Sequence, residues 1–250
     1  IDFIKVNKDK PFFVYLPHSM PHIPLYVPDE IRDPDPKNAY INTIEHIDAE
    51  VGRLLKALDD LKLVDNTYVI YTTDNGPWLQ FRHHGGSAGP LREGKGTTFE
   101  GGQRVPCVMR GPGIPAGTVC DELTGTIDVL PTIAALTGTP LPAGNKIDGL
   151  DASGLWKGTT KKSPRKEFLH YTSRGDLEGI RSGNWKLLVK KPRRNNARKA
   201  QLHLFDLAKD VSEQNNLAES KPAVVKELQA RMKALDAEIT KNARSPWFKE

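Results

Sequence analysis

Residues 67–76 read TYVIYTTDNG, and this stretch decides the fold. Its β-branched and aromatic residues predict a β-strand, and the strand ends in Asp74, Asn75 and a glycine. In open parallel sheets, ligands bind at the carboxyl ends of the strands. Carboxylate and amide oxygens suit Ca²⁺ or Mg²⁺ better than Zn²⁺. A plain Asp-Asn-Gly turn explains the same three residues, so a metal site and a turn both remain open.

The segments around this strand predict an α/β unit. Residues 11–16, PFFVYL, predict a second, fully buried strand, and residues 40–61 place Ile, Val and Leu at helical spacing. A strand, a helix and a strand in this order predict a right-handed parallel crossover. Farther along the chain, we expect a Gly-rich loop over residues 74–104, a short strand over 105–109 and a helix over 127–136.

The C-terminal part of the chain follows a different pattern. Four short strands between residues 168 and 207 and an amphipathic helix over residues 223–239 predict a small antiparallel sheet with one helix. A stretch rich in proline and glycine precedes them, and such stretches mark domain boundaries. We therefore predict an α/β domain over residues 1–150 and a small α+β subdomain over residues 151–250.

The composition indicates a globular protein. The chain has 250 residues, of which 38% are hydrophobic, and a net charge of +5. No apolar run approaches the ~20 residues that a membrane-spanning helix needs, and two cysteines are too few for a disulfide scaffold. The basic excess suits anionic ligands without selecting one. Because Ile1 comes first, with no visible signal segment, and a buried strand follows almost at once, we expect the sequence to begin partway through a domain.

A lysine in a glycine-rich loop is the second candidate site. Residues 89–98 read GPLREGKGTT, a near match to a nucleotide phosphate loop. Gly96 stands where that loop has a hydroxyl residue, and no buried strand precedes it, so we reject a nucleotide site. Glycines let main-chain amides approach an anion beside Lys95 and Arg92. A mobile surface loop is the alternative.

Histidines form the third candidate. His18 and His22 have the spacing of a zinc-binding helix, but the prolines around them forbid a helix. After a buried strand, a histidine can donate to an anion or protonate a leaving group, although a single histidine is more often a plain hydrogen-bonding residue. The pair His83 and His84 either lines an entrance or is solvated.

Basic residues also cluster at positions 190–199. A nucleic-acid partner would need aromatic residues between them or a known binding fold, and neither accompanies the cluster. We therefore expect a solvated hairpin loop there and no nucleic-acid partner.

Taken together, these stretches resemble the sulfatases, the arylsulfatase-type members of the alkaline phosphatase superfamily. The resemblance rests on PFFVYLPHSMPHIPLYVP, IEHIDAEVGRLLKALDDL, TYVIYTTDNGPW, GPLREGKGTTFEGGQRVPCVMRGPG, TIDVLPTIAALTG and a tail containing GIRSGNWKLL and HLFDLAKDVSEQNNLAES. It implies an alkaline-phosphatase-like α/β fold, with part of a mixed sheet flanked by helices and a small C-terminal antiparallel sheet with one helix. It also implies hydrolysis of a sulfated carbohydrate or an aryl sulfate, and an extracytoplasmic location.

The resemblance assigns roles to individual residues. Asp74 and Asn75 match a pair that binds Ca²⁺, Lys95 matches a lysine that binds the sulfate group, and His22 matches a histidine that contacts the sulfate and assists the leaving group. A cation and an ammonium would stabilise the charge that develops during sulfate-ester hydrolysis. We add three basic residues as further substrate contacts: Arg92, His83 and His84.

The sequence departs from the family at the nucleophile. The family makes a formylglycine from Cys or Ser in a C-x-P-S-R type motif, and neither Cys107 nor Cys120 lies in such a motif. Asp74 and Asn75 also cannot supply the roughly 6–8 oxygen ligands of Ca²⁺. We therefore expect the C-terminal part of a sulfatase that is inactive alone. Its formylglycine and remaining ligands would come from a missing N-terminal segment of the same enzyme.

Two alternatives remain open. The first is a phosphatase or phosphodiesterase of the same superfamily, which would bind two zinc ions through several His and Asp residues. The second is a module that binds an anion or a glycan without catalysis.

Overall fold

The computed structural model describes residues 1–144, 146–191 and 200–244. These residues form two compact units. The first comprises Ile1–Gly89 and Arg104–Gly113, and the second comprises Pro90–Gln103 and the described residues from Ile114 onward. The boundary that we predicted near residue 150 stays a prediction. Of the hairpin loop predicted at positions 190–199, residues 192–199 lie outside the described residues.

The described residues contain six α-helices and six β-strands. The α-helices are α1 (Asp2–Asn7), α2 (Ala39–Asp60), α3 (Glu100–Gln103), α4 (Val129–Thr137), α5 (Ser153–Trp156) and α6 (Pro222–Lys241). The β-strands are β1 (Val69–Thr72), β2 (Cys107–Arg110), β3 (Glu167–Tyr171), β4 (Leu177–Ser182), β5 (Trp185–Lys190) and β6 (Gln201–Asp206). None of the helices in the described ranges has the length and apolarity required to cross a membrane.

The first unit contains α1, the long helix α2 and a two-stranded sheet. The helix predicted over residues 40–61 is confirmed as α2, and its apolar stripe includes the buried Ile47 and Leu58. The predicted strands over 67–73 and 105–109 are confirmed as β1 and β2, each within a few residues. They pair in antiparallel register from Val69 opposite Arg110 to Thr72 opposite Cys107.

The strand predicted over residues 11–16 is wrong. This stretch is irregular and largely exposed; Phe13 is 70% and Tyr15 79% accessible to solvent. A run of apolar residues forms a buried strand only where neighbouring strands satisfy its backbone hydrogen bonds, and no described strand pairs with this run. The predicted parallel crossover is therefore also wrong, since β1 has only the antiparallel neighbour β2 within the described part of the chain.

The second unit is built on a four-stranded antiparallel sheet in the order β3-β4-β5-β6. The four predicted strands and the C-terminal helix are thus confirmed. Side chains alternate between the two faces of a strand, and both faces of this sheet are covered. One face contributes the buried Ile180, Leu187 and Leu204, which pack against apolar residues of α6. Leu188 and Phe205 belong to a second buried cluster, with Phe99 of the Gly-rich segment.

The helix predicted over residues 127–136 is confirmed as α4, which follows a short 3₁₀ turn at Thr126–Asp128. It ends at Gly138, whose φ of 65° is the left-handed conformation that glycine adopts readily at helix ends. The buried Asp128 forms a two-point ion pair with Arg165: Nε to Oδ2 is 2.8 Å and Nη2 to Oδ1 is 2.5 Å. This pair fixes the start of α4 to the segment that leads into the sheet.

A buried histidine in β3 makes the stability of the fold depend on pH. His170 is 4% exposed, and neither of its ring nitrogens has a hydrogen-bond partner among the described residues. Burial, helped by the nearby charges of Lys186, Arg181 and Lys190, lowers the pKa of His170 to about 3. The folded protein therefore keeps this ring neutral at pH values where an unfolded chain protonates it.

We expect the His170→Leu variant to lose less stability than wild type when the pH falls from 7 to 5. The ordinary pKa of a histidine is 6.5, so below that pH the unfolded chain binds a proton that the folded chain does not, and stability falls down to about pH 3. At pH 5 this contributes about 2 kcal/mol of destabilisation relative to pH 7. Urea denaturation of wild type and variant at both pH values measures the difference. His83→Leu removes an exposed histidine and is the control; an equal acid loss in wild type and His170→Leu would contradict the expectation.

Candidate functional site

In the first unit, the loop that follows β1 carries Asp74 and Asn75. The strand end is fixed because the Thr72 hydroxyl donates to the carbonyl oxygen of Pro106, at 2.9 Å, just before β2. Asp74 is exposed and Asn75 half-buried, and the Thr73 hydroxyl lies 3.4 Å from a carboxylate oxygen of Asp74. The two candidate metal ligands therefore directly follow the carboxyl end of β1.

His22 lies next to this loop. Its ring centroid is 5.6 Å from that of Trp78, and Trp78 in turn meets Phe81 edge-on at 4.6 Å. The backbone N–H of Trp78 donates to Gly85 O at 3.0 Å, which closes the loop. The structure thus places His22 against the same loop that begins with Asp74 and Asn75.

The hydrogen bond of His22 bears on its chemistry. Its Nδ1 lies 2.8 Å from the carbonyl oxygen of Ile23. A carbonyl oxygen only accepts, so this contact assigns the ring proton to Nδ1. Nε2 is then the atom that accepts a proton in the neutral ring and donates one in the imidazolium ion.

The paired histidines differ in their surroundings. His84 is half-buried, and its Nε2 donates to the carbonyl oxygen of Pro36 at 2.7 Å. His83 is exposed. His84 therefore forms a hydrogen bond within the first unit. A substrate contact by His83 or His84 stays a prediction.

In the second unit, Lys95 lies half-buried near the tip of a closed loop. The base of the loop is closed by the N–H of Gly101, which donates to Arg92 O at 2.8 Å. Within it, both the N–H and the hydroxyl of Thr97 donate to Gly94 O, at 3.2 and 2.9 Å. The loop that presents Lys95 is thus anchored by its own hydrogen bonds.

Arg92, predicted as a substrate contact, is engaged within the second unit. Its Nη1 donates to the carbonyl oxygen of Glu213 at 2.6 Å, and its guanidinium lies 4.1 Å from the ring centroid of Phe99. These contacts anchor the loop to the rest of the unit. A contact between Arg92 and a substrate stays a prediction.

A buried cluster of charges beside this loop was not predicted from the sequence. Lys186 is fully buried, and its Nζ lies 2.8 Å from Glu100 Oε1 and 2.9 Å from Glu213 Oε1. The first contact is a hydrogen bond, whereas the second is an ion pair whose angles do not make a hydrogen bond. Glu213 Oε2 accepts the backbone N–H of Glu100 at 2.6 Å. Burial raises the pKa of Glu213, and the charge of Lys186 opposes that rise.

One signal in the sequence could have indicated this cluster. Lys186 interrupts the apolar run of β5, and a lysine in the middle of a covered strand requires a carboxylate partner. Its partners are distant in sequence, 86 residues away in the case of Glu100. Strand periodicity carries no information about such a pairing.

The side-chain oxygens of Asp74 and Asn75 are the kind of donor that a hard cation prefers, but they are too few to form a complete site. No group of three or more His, Cys, Asp or Glu side chains that could hold a metal ion occurs within the described ranges. Asp74 and Asn75 offer a carboxylate and an amide oxygen, the donors that Ca²⁺ prefers, whereas Ca²⁺ takes roughly 6–8 ligands. They fit one part of a calcium site. Cys107 and Cys120 are unpaired thiols.

Comparisons with known proteins agree on one family. The Sulfatase family model matches residues 1–139, and the model described as N-sulphoglucosamine sulphohydrolase, C-terminal, matches residues 94–239. Arylsulfatase A of Homo sapiens is 36% identical over 94% of this chain and 51% of that protein. The chain thus spans about half the length of the curated relatives it matches.

Solved structures confirm the predicted fold class. The PsFucS1 sulfatase from Pseudoalteromonas sp. superposes with a TM-score of 0.82 at 26% identity, over 98% of this chain and 52% of that one. Ps i-CgsB in complex with k-i-k-neocarrahexaose gives 0.80 at 29% identity, over 100% of this chain and 55% of that one. The metal cofactor inferred from the resemblance is consistent with this family.

We expect Gly101→Ala to disrupt the loop that carries Lys95. A Cβ at Gly101 would lie 2.2 Å from Glu93 O and 2.4 Å from Arg92 O, so the base of the loop would have to open. The free energy of unfolding should fall by about 1–3 kcal/mol, as measured by urea denaturation. Gly52→Ala is the control, because a Cβ there meets nothing within 4 Å and alanine favours a helix. A Gly101→Ala protein as stable as wild type would contradict the close approach.

Proposed function

Because the chain belongs to the sulfatase family, we propose that it forms part of the active site of a sulfuric-ester hydrolase. Lys95 and His22 contact the sulfate group, and Asp74 and Asn75 bind Ca²⁺. The observation that carries this proposal is that every candidate residue lies within the stretch matched by the Sulfatase family model, residues 1–139.

The chemistry of Lys95 supports its role at the sulfate. Hydrolysis of a sulfate ester places negative charge on the oxygens of the reacting group, and a preorganised cation lowers the energy of that arrangement. The loop that carries Lys95 is closed at its base by Gly101 and Arg92. The ammonium is therefore presented by a backbone that needs little reorganisation during the reaction.

Asp74 and Asn75 supply the part of a calcium site that this chain contributes. Both follow the end of β1, and both offer oxygen donors. A bound Ca²⁺ would act as a Lewis acid toward a sulfate oxygen. The two residues hold their donors at one strand end, next to the loop that contacts His22.

His22 acts as the proton donor to the leaving oxygen. With Nδ1 donating to Ile23 O, the imidazolium form offers the proton of Nε2 to the alcohol oxygen of the ester as the bond to sulfur breaks. The ring stands against Trp78, which restricts its orientation. Arg92, His83 and His84 are proposed as further contacts to the substrate.

The nucleophile is proposed to come from polypeptide outside these 250 residues. The sequence has no C-x-P-S-R type motif for formylglycine formation, and Cys107 and Cys120 lie in other contexts. The remaining calcium ligands are proposed to come from the same source. The substrate class is a sulfated carbohydrate or an aryl sulfate, and the kinship with an arylsulfatase and with Ps i-CgsB supports this assignment. The location is extracytoplasmic, as the resemblance to the family implies.

We expect the 250-residue chain to bind inorganic sulfate through Lys95. Lys95→Met should raise the dissociation constant for sulfate by at least about tenfold, because a charge-assisted contact to the anion is lost. Isothermal titration calorimetry with sodium sulfate, with and without CaCl₂, measures this. Lys56→Met, which removes an exposed lysine of α2, should bind like wild type. Equal affinity of wild type and Lys95→Met would contradict the assignment of Lys95.

We also expect the chain by itself to release no 4-nitrophenol from 4-nitrophenyl sulfate, in the presence or absence of Ca²⁺. The physical reason is that Lys95, His22 and a bound cation stabilise charge but supply no nucleophile to attack the sulfur. Turnover that disappears in Lys95→Met would show that a residue of this chain is the nucleophile. Sulfate binding that is independent of Ca²⁺ would favour the alternative of a non-catalytic module, and zinc in metal analysis would favour the phosphatase alternative.

A further inference from the structure

The segment that carries Lys95 is also one cover of the C-terminal sheet. Residues 90–103 belong to the second unit together with β3–β6. Phe99 of this segment lies in one buried cluster with Leu188 and Phe205 of the sheet. Helix α6 covers the other face, through Leu187 and its neighbours. The sheet therefore lies between a helix and the loop that presents Lys95.

Polar contacts join the segment to the sheet at several points. The Thr98 hydroxyl donates to Glu178 at 2.5 Å, and Lys190 Nζ lies 2.8 Å from both. The same Nζ lies 4.6 Å from the ring centroid of Phe99. At the start of the segment, the Ser212 hydroxyl donates to Pro90 O at 2.6 Å. These contacts lie on both sides of Lys95 in the sequence.

Lys186 connects the segment to the stretch that follows β6, and this contact is buried. Its ammonium contacts Glu100, which begins α3 only five residues after Lys95, and Glu213, which lies beyond β6. All three side chains are nearly or fully buried. Glu213 also accepts the backbone N–H of Glu100, so a force on this carboxylate acts directly on the backbone of the segment.

We propose that Lys186 is a positioning residue, which fixes the segment that carries Lys95 against the sheet and thereby sets where the Lys95 ammonium meets sulfate. The part that concerns sulfate rests on the function proposed above. Without the ammonium, two carboxylates would remain buried side by side. The Arg181 guanidinium, 3.4 Å from Glu100 Oε2, would still contact Glu100, whereas Glu213 would lose the charge that opposes its own. Their repulsion would separate Glu100 from Glu213 and release the backbone that closes the loop.

The experiment compares three variants of the full 250-residue chain. Lys186→Met removes the charge and keeps the length of the side chain. Lys186→Arg keeps the charge. Leu187→Ala opens a cavity on the opposite face of the sheet, against α6, and so reduces overall stability without touching the segment.

Amide hydrogen exchange at Thr97 and Gly101 reports directly on the loop, because these N–H groups donate to Gly94 O and Arg92 O. We expect exchange to be about tenfold faster in Lys186→Met than in Leu187→Ala at matched overall stability. In Lys186→Arg it should stay within about threefold of wild type. Calorimetry should show at least about fivefold weaker sulfate binding in Lys186→Met and no change in Leu187→Ala.

Equal exchange at Thr97 and Gly101 in Lys186→Met and Leu187→Ala would overturn the proposal. If Lys186→Met does not fold, Glu213→Gln is the milder second variant, for which we expect about threefold faster exchange at the same two amides; wild-type exchange in that variant would also overturn the proposal. Failure of the proposed function has a different signature. In that case wild type does not bind sulfate, while the exchange rates still respond to Lys186.

Discussion

A lysine without contact to solvent, Lys186, lies between the carboxylates of Glu100 and Glu213, and the second unit depends on this arrangement. A buried charge is tolerated only where partners replace the water it has lost. Here the partners come from two separate stretches of chain, one of which also carries Lys95. The charge cluster therefore couples the integrity of the C-terminal sheet to the geometry of the candidate anion site.

Much of the fold could be predicted from local sequence patterns. The helix α2 shows the helical spacing of apolar residues, α4 ends at a glycine with positive φ, and the strands of the C-terminal sheet are separated by turn residues. These signals lie within ten to twenty residues, and the structure confirms them. The prediction of a strand over residues 11–16 failed because an apolar run suggests burial but does not show whether a neighbouring strand is present to pair with it.

The candidate site was predicted in part, for a related reason. The position of Asp74 and Asn75 after a strand followed from the sequence pattern, and their roles, with those of His22 and Lys95, followed from a family resemblance. The hydrogen bond from Arg92 to the carbonyl oxygen of Glu213 could not have been foreseen, because the two residues lie 121 positions apart. A contact across such a distance leaves no trace in periodicity.

The exposed apolar run at residues 11–16 carries a consequence for the behaviour of the protein in concentrated solution. Short apolar segments without charges tend to stack into intermolecular sheets. Here Pro11 and Pro17 stand at the two boundaries of the run, and proline cannot donate the hydrogen bond that extends such stacking. Proline at both boundaries therefore opposes the spread of intermolecular strand pairing beyond the run, whose side chains are largely exposed.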